Sequence, residues 1–167
     1  MTTKNTESSN PAQWHAAFPS PKNTNPQALP RSNLLQWLRD GQLPGSSFVL
    51  VDLRRDDHEV RDAMNYGGTI KGSLNLPAQS LYPSIATLYS VFTAANIEKV
   101  IFYCGSCGGR GTRAAGWFDD YLKEQKDSRM QSYILEGGIK GWVAAGEEYT
   151  VWMSDYNGDV WGKKLQK

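Results

Sequence analysis

Cysteine and histidine are both scarce in this chain, with two of each among 167 residues. Two thiols cannot make a disulfide framework, and a structural zinc site wants four ligands, which His15 and His58 cannot complete from such distant positions. Neither a metal nor a resident cofactor is expected, and the thiols are left for catalysis or packing. An excess of charge of either sign is also missing. Lysine plus arginine number 18 against 17 for aspartate plus glutamate, a net +1 that suggests no nucleic-acid surface, so any anion site must be local. No apolar run approaches the roughly eighteen residues of a membrane span, and Met1 to Asn10 lack the apolar segment of a secretory signal. The expectation is a soluble protein without a nucleic-acid or membrane partner, cytoplasmic or also nuclear, monomeric or homodimeric.

Length allows one ordinary domain with tails. Residues 1–30 hold five of the eight prolines among many Asn, Thr and Ser, which reads as an extended or partly disordered arm, pinned in part by Trp14, His15 and Phe18. The domain proper spans 31–150. It opens with a short helix, where Ser32 can cap, Leu34, Leu35 and Leu38 form a stripe, and Gly41 stops it. Strands are expected at 47–54, 72–77 and 98–103 and in "QSYIL". Helices are expected from Ser80 through Phe92, along Ala114, Trp117, Phe118, Tyr121 and Leu122, and in "GGIKGWVAAG", which Glu136, ahead of the Gly137-Gly138 turn, helps to cap. Strands alternating with helices imply an α/β fold, with a mostly parallel sheet of about five strands and helices on both faces. The last segment, 151–167, is an aromatic-rich helix or tail, with Tyr149, Trp152, Met153 and Tyr156 at helical spacing against the domain.

Ligands of such sheets collect beyond the carboxyl ends of the strands. That is where "YCGSCGGRGTRAAGW" (103–117) falls, with both cysteines and five of the sixteen glycines. A strand runs into Cys104, and five residues later Arg110 opens a helix. Amide groups of a tight loop and of a helix start favour negative charge at one point. Gly105, Gly108 and Gly109 remove the Cβ atoms that would keep the loop open, while Arg110 can clamp two oxygens at once. The same field stabilises Cys104 as thiolate, the nucleophilic form. Cys104 and Arg110 are therefore the catalytic pair, and Gly105, Ser106, Cys107, Gly108, Gly109 and Gly111 form the anion cradle. Cys107, in a C-x-x-C spacing with Cys104, either lines the loop or serves as a resolving thiol. Asp52 and Arg54 at a strand end, and Arg113 one turn beyond Arg110, are assigned to the rim or support. Asp52, Asp56, Asp57 and Glu59 are candidates for a general acid by location only, with the structural role foremost for Asp52.

"VLVDLRRDDHE" followed by "GGTIKGSLNLP" resembles the opening motif of the rhodanese superfamily, and "LEGGIKGWVAAGEEY" its closing motif. With the cysteine loop between them, the resemblance covers about residues 47–149. Sulfurtransferases of that superfamily typically place four residues between cysteine and arginine. The branch similar to cell-cycle dual-specificity phosphatases and yeast-type arsenate reductases places five, as here. The resemblance implies a small single-domain member acting on phosphate or arsenate through a covalent adduct on Cys104, with glutathione or a protein dithiol as co-substrate if it is a reductase. A thiosulfate-type sulfurtransferase working through a Cys104 persulfide is the first alternative, and a non-catalytic module or thiol redox sensor the second. Two positions depart from the branch. Tyr103 stands where histidine usually precedes the cysteine, and Thr69 replaces a histidine common in the opening motif.

Overall fold

A strand that is apolar along its whole length must be covered on both faces. Phe48–Asp52 is such a strand up to its last residue, four apolar side chains followed by Asp52, with all five residues buried. The computed structural model describes residues 13–54 and 67–165. In chain order the elements are β1 (Gln27–Leu29), α1 (Arg31–Arg39), β2 (Phe48–Asp52), β3 (Thr69–Ile70), β4 (Leu74–Asn75), α2 (Ala78–Ala94), β5 (Lys99–Tyr103), α3 (Arg110–Glu124), β6 (Gln131–Leu135), α4 (Gly138–Ala144), α5 (Glu147–Thr150), β7 (Met153–Ser154) and α6 (Gly158–Leu165). Five strands make one sheet in the order β1-β6-β5-β2-β4, parallel at every pairing, and β3 pairs antiparallel with β7 in a separate ribbon. The expected α/β architecture is present. Ala114, Trp117, Phe118 and Leu122 form the buried face of α3, as their spacing predicts.

Three features differ from the sequence reading. The fifth strand, β1, is a three-residue segment between Pro26 and Pro30 that pairs with β6 from Gln27 opposite Tyr133 to Leu29 opposite Leu135. The run at 72–77 contributes only the two-residue β4. The Tyr149–Tyr156 stripe is not one helix, because α5 ends at Thr150 and Met153 enters β7. Its alternation between buried Tyr149 and buried Met153 reflects two elements that share one core.

The chain ahead of β1 is laid across α3. Trp14 and Phe18 meet the Trp117 ring edge-on at centroid distances of 6.2 and 6.0 Å, and the Trp117 indole N–H donates to the Pro19 carbonyl at 2.8 Å. Gly116 permits the approach, since a Cβ there would collide with the Asn23 carbonyl oxygen.

Candidate active site

Parallel pairing brings the carboxyl ends of β2, β5 and β6 to one edge of the sheet, and the chain is tied there by backbone bonds. The Leu53 N–H donates to the Tyr103 carbonyl at 2.8 Å, and the Ile139 and Lys140 N–H groups donate to the carbonyls of Cys104 and Gly105 at 3.0 and 2.9 Å. The start of α4 thus holds the first two carbonyls of the cysteine loop. This approach requires Gly138, whose φ is +57° and where a Cβ would lie 2.6 Å from the carbonyl oxygens of both Cys104 and Gly105. The sequence reading took the Gly137-Gly138 pair for a turn. Glu136 does not cap α4, which begins without a side-chain cap.

Between Tyr103 and Arg110 the chain closes around sulfur. The Cys104 N–H donates to the Cys107 sulfur at 3.4 Å, and the Thr112 hydroxyl donates to the Cys107 carbonyl at 2.9 Å. Hydrogen bonding with the Cys107 thiol foremost, then with the amides of Gly111 and Cys107, together with the charge of Arg110, outweighs burial and lowers the Cys104 pKa to about 6. Cys107 moves the other way. Donating to Cys104, being buried and facing the Cys104 charge all push its thiol far above the ordinary range. The pair therefore holds one thiolate and one proton at neutral pH, with the charge on Cys104. Both thiols are buried and free.

Gly111 sits against both sulfurs, a Cβ there lying 3.0 Å from the Cys107 sulfur and 3.8 Å from that of Cys104. Among the described residues, no protein oxygen accepts a backbone hydrogen bond from Gly105, Ser106, Gly108 or Gly109. Ser106, Gly108 and Gly109 are exposed, which leaves their donors open to solvent.

Asp52 and Arg54 form a buried pair. The guanidinium reaches Asp52 Oδ2 at 2.6 Å and Oδ1 at 2.9 Å, and also donates to the Gly68 carbonyl at 2.8 Å. They brace the end of β2. The Arg113 guanidinium lies 3.3 Å from His15 Nε2 and 6.0 Å over the Trp117 ring. Asp56, Asp57, His58 and Glu59 lie outside the described residues.

The two departures from the expected branch pattern prove to be one feature. The Tyr103 hydroxyl lies 2.7 Å from both Thr69 Oγ1 and Ser73 Oγ and accepts from the Ile70 N–H at 3.3 Å, while the Thr69 hydroxyl donates to Asp52 Oδ2 at 2.8 Å. A hydroxyl chain thus joins the residue before Cys104 to the carboxylate at the end of β2. Burial, then the Asp52 charge, hold the Tyr103 phenol far above its usual range, so it stays neutral. Nothing in the one-dimensional pattern marked Ser73 or the pairing of Thr69 with Tyr103. Tyr103→Phe is expected to cost about 1–3 kcal/mol, because it leaves buried hydroxyl partners short of a bond. The shift in urea midpoint at constant m-value measures it.

Comparison with known proteins adds sequence and fold. A model of the rhodanese-like domain matches residues 32–145. Arsenical-resistance protein 2 of Saccharomyces cerevisiae is 33% identical over 116 residues, 65% of this chain and 88% of that protein. Among solved structures, Ygr203w, a yeast protein tyrosine phosphatase of the rhodanese family, superposes with a TM-score of 0.62 at 23% identity, over 81% of this chain and 96% of its own. An As-Sb reductase from Leishmania major gives 0.59 at 22% identity, over 72% and 79%. At these identities the two structures speak for the fold alone.

Proposed function

This chain belongs to the rhodanese family, and from that premise we propose that it is a cysteine-dependent enzyme acting on tetrahedral oxyanions, with arsenate reduction as its reaction. The observation that carries the reading is the sulfur pair closed into the loop ahead of Arg110, with the Cys104 N–H donating to the Cys107 sulfur at 3.4 Å and Gly111 packed against both sulfurs. The 33% identity to a protein named for arsenical resistance favours arsenic over other central atoms.

In this reading the Cys104 thiolate attacks arsenic and replaces one oxygen, which leaves as water after taking up two protons from solvent. Arg110 and the amides of Gly105, Ser106, Gly108 and Gly109 hold the three remaining oxygens as their charge changes. A thiol then attacks the Cys104 sulfur. The new S–S bond forms as the S–As bond breaks, the bonding pair stays on arsenic, and arsenite leaves. Glutathione or a protein dithiol restores Cys104 by exchange.

Phosphate fits the same five-residue cradle, and there the adduct is a cysteinyl-phosphate that water hydrolyses. This second reading rests on loop size. Purified protein assayed side by side with arsenate plus glutathione, an aryl phosphate, and thiosulfate plus cyanide separates the cases. Turnover with arsenate is expected. Turnover only with thiosulfate would reject the proposal in favour of sulfur transfer through a Cys104 persulfide, and none with any would leave a binding module or redox sensor.

Alkylation tests the thiolate directly. An ordinary thiol is only a few per cent ionised at pH 7, with its midpoint near 8.5. Cys104 is protonated below and ionised above its lowered pKa, so iodoacetamide inactivation should rise through a midpoint of about 6 and be flat by pH 8. A midpoint at the ordinary thiol value would contradict an activating loop.

A further inference from the structure

Cys107 has a role in the electrostatics of Cys104 that a hydroxyl could fill, yet the residue there is a thiol. It also occupies a costly backbone position. Its φ is +60°, one of four positive values at non-glycine residues among those described, in a loop that otherwise uses glycine freely. Glycine would adopt that conformation at no steric cost, so the side chain is what the position retains. The two sulfurs are packed together against Gly111 and are 4% and 5% exposed at Cys104 and Cys107. An external thiol must enter a buried site to reach Cys104, whereas Cys107 is already inside.

Resting on the arsenate reading above, we infer that Cys107 resolves the arsenic adduct from within the loop, so that the first turnover needs no external thiol and leaves a Cys104–Cys107 disulfide. The order of events follows from the charge on Cys104. While Cys104 is a thiolate, Cys107 is held protonated by donating to it. Adduct formation removes that charge and that acceptor, and Cys107 becomes free to lose its proton to solvent or to a departing oxygen. The Cys107 thiolate then attacks the Cys104 sulfur. One S–S bond forms, one S–As bond breaks, the electron pair of that bond remains on arsenic, and arsenic(V) becomes arsenic(III). The two electrons come from the two cysteines. Glutathione or a protein dithiol afterwards reduces the disulfide, becoming oxidised in turn.

The chain has no other cysteine, so the thiol count is unambiguous. Full-length reduced protein, freed of reductant by gel filtration, is mixed with arsenate alone. The expected result is one arsenite per chain, loss of both titratable thiols, and a loop peptide lighter by two hydrogens. In Cys107→Ser the hydroxyl keeps a donor to Cys104, so the adduct still forms. That variant should release no arsenite without thiol, and with glutathione should pass through a Cys104–glutathione mixed disulfide. If the native chain makes no arsenite alone but turns over with glutathione, the internal step is overturned and the arsenate reading stands. If it makes none under either condition, the arsenate reading falls and this inference with it. Equal glutathione-dependent rates in native and Cys107→Ser protein would also overturn the internal step.

Discussion

Serine in place of Cys104 is expected to lower arsenate turnover by roughly 10⁴-fold or more, the scale on which loss of a covalent nucleophile is felt. The two side chains differ by one atom, and the donors that surround the Cys104 sulfur, from Gly111, Cys107 and the Cys107 thiol, can serve an oxygen as well. Their combined pull brings a thiol down to about 6, but an alcohol starts so much higher that the same pull leaves it protonated at neutral pH. The first step therefore loses its nucleophile. The second step fails independently, because an oxygen bridge to arsenic offers no sulfur for a resolving thiol to attack. Oxyanion binding should survive or tighten, since the variant removes a negative charge from beneath the anion while keeping Arg110 and the loop amides. The informative experiment thus pairs the steady-state rate with arsenate binding by calorimetry and a thermal melt. A rate within about tenfold of the native chain would show that the chemistry does not pass through Cys104. A lost binding isotherm would show instead that the loop needs sulfur in order to close.

Cys104, Arg110 and the glycines between them were legible because the constraint on them is local. A strand, a tight loop and a helix start are each written in consecutive residues, and the glycines report where the backbone must turn. β2, β5 and β6 were legible as short apolar runs, as buried strands require, and α3 because burial of one helix face imposes its period on the sequence. β1 escaped because three residues between prolines carry no period at all. Its place in the sheet is decided by β6, more than a hundred residues later, whose open edge accepts Gln27–Leu29. The Tyr103, Thr69, Ser73 and Asp52 hydroxyl chain escaped for the same reason in sharper form. Tyr103 and Thr69 stood out only as separate departures from the branch pattern, and only the packing of the β3 ribbon on the end of β5 brings them together with Ser73 and Asp52. Gly138 shows the limit of reading a motif as a turn. What fixes it is contact with the carbonyls of Cys104 and Gly105, some thirty residues earlier.

Arg110→Lys keeps the charge and changes the geometry, and is expected to reduce kcat/KM for arsenate about 10²–10³-fold, the range found when one donor to a developing oxyanion is removed. Lysine is a point charge on a flexible stem and cannot present two parallel N–H groups to two oxygens. Among the described residues no carboxylate pairs with the Arg110 guanidinium, so the substitution breaks no ion pair among them, and a thermal melt separates a loss of rate from a loss of stability. The alkylation profile gives the control. Of the groups that lower the Cys104 pKa, the Cys107 thiol has the largest effect and the Arg110 charge the smallest, with the two loop amides between them. Arg110→Lys should accordingly leave the iodoacetamide midpoint near its native position while the catalytic rate falls, whereas Cys107→Ala should raise that midpoint. The two readouts separate making a nucleophile, which belongs to the sulfur pair and the loop amides, from holding the oxyanion, which belongs to the arginine. If Arg110→Lys shifts the midpoint as far as Cys107→Ala does, the guanidinium acts mainly on the thiolate. If kcat/KM instead stays within about threefold of native, the equatorial oxygens are held without it and the cradle ends at Gly109.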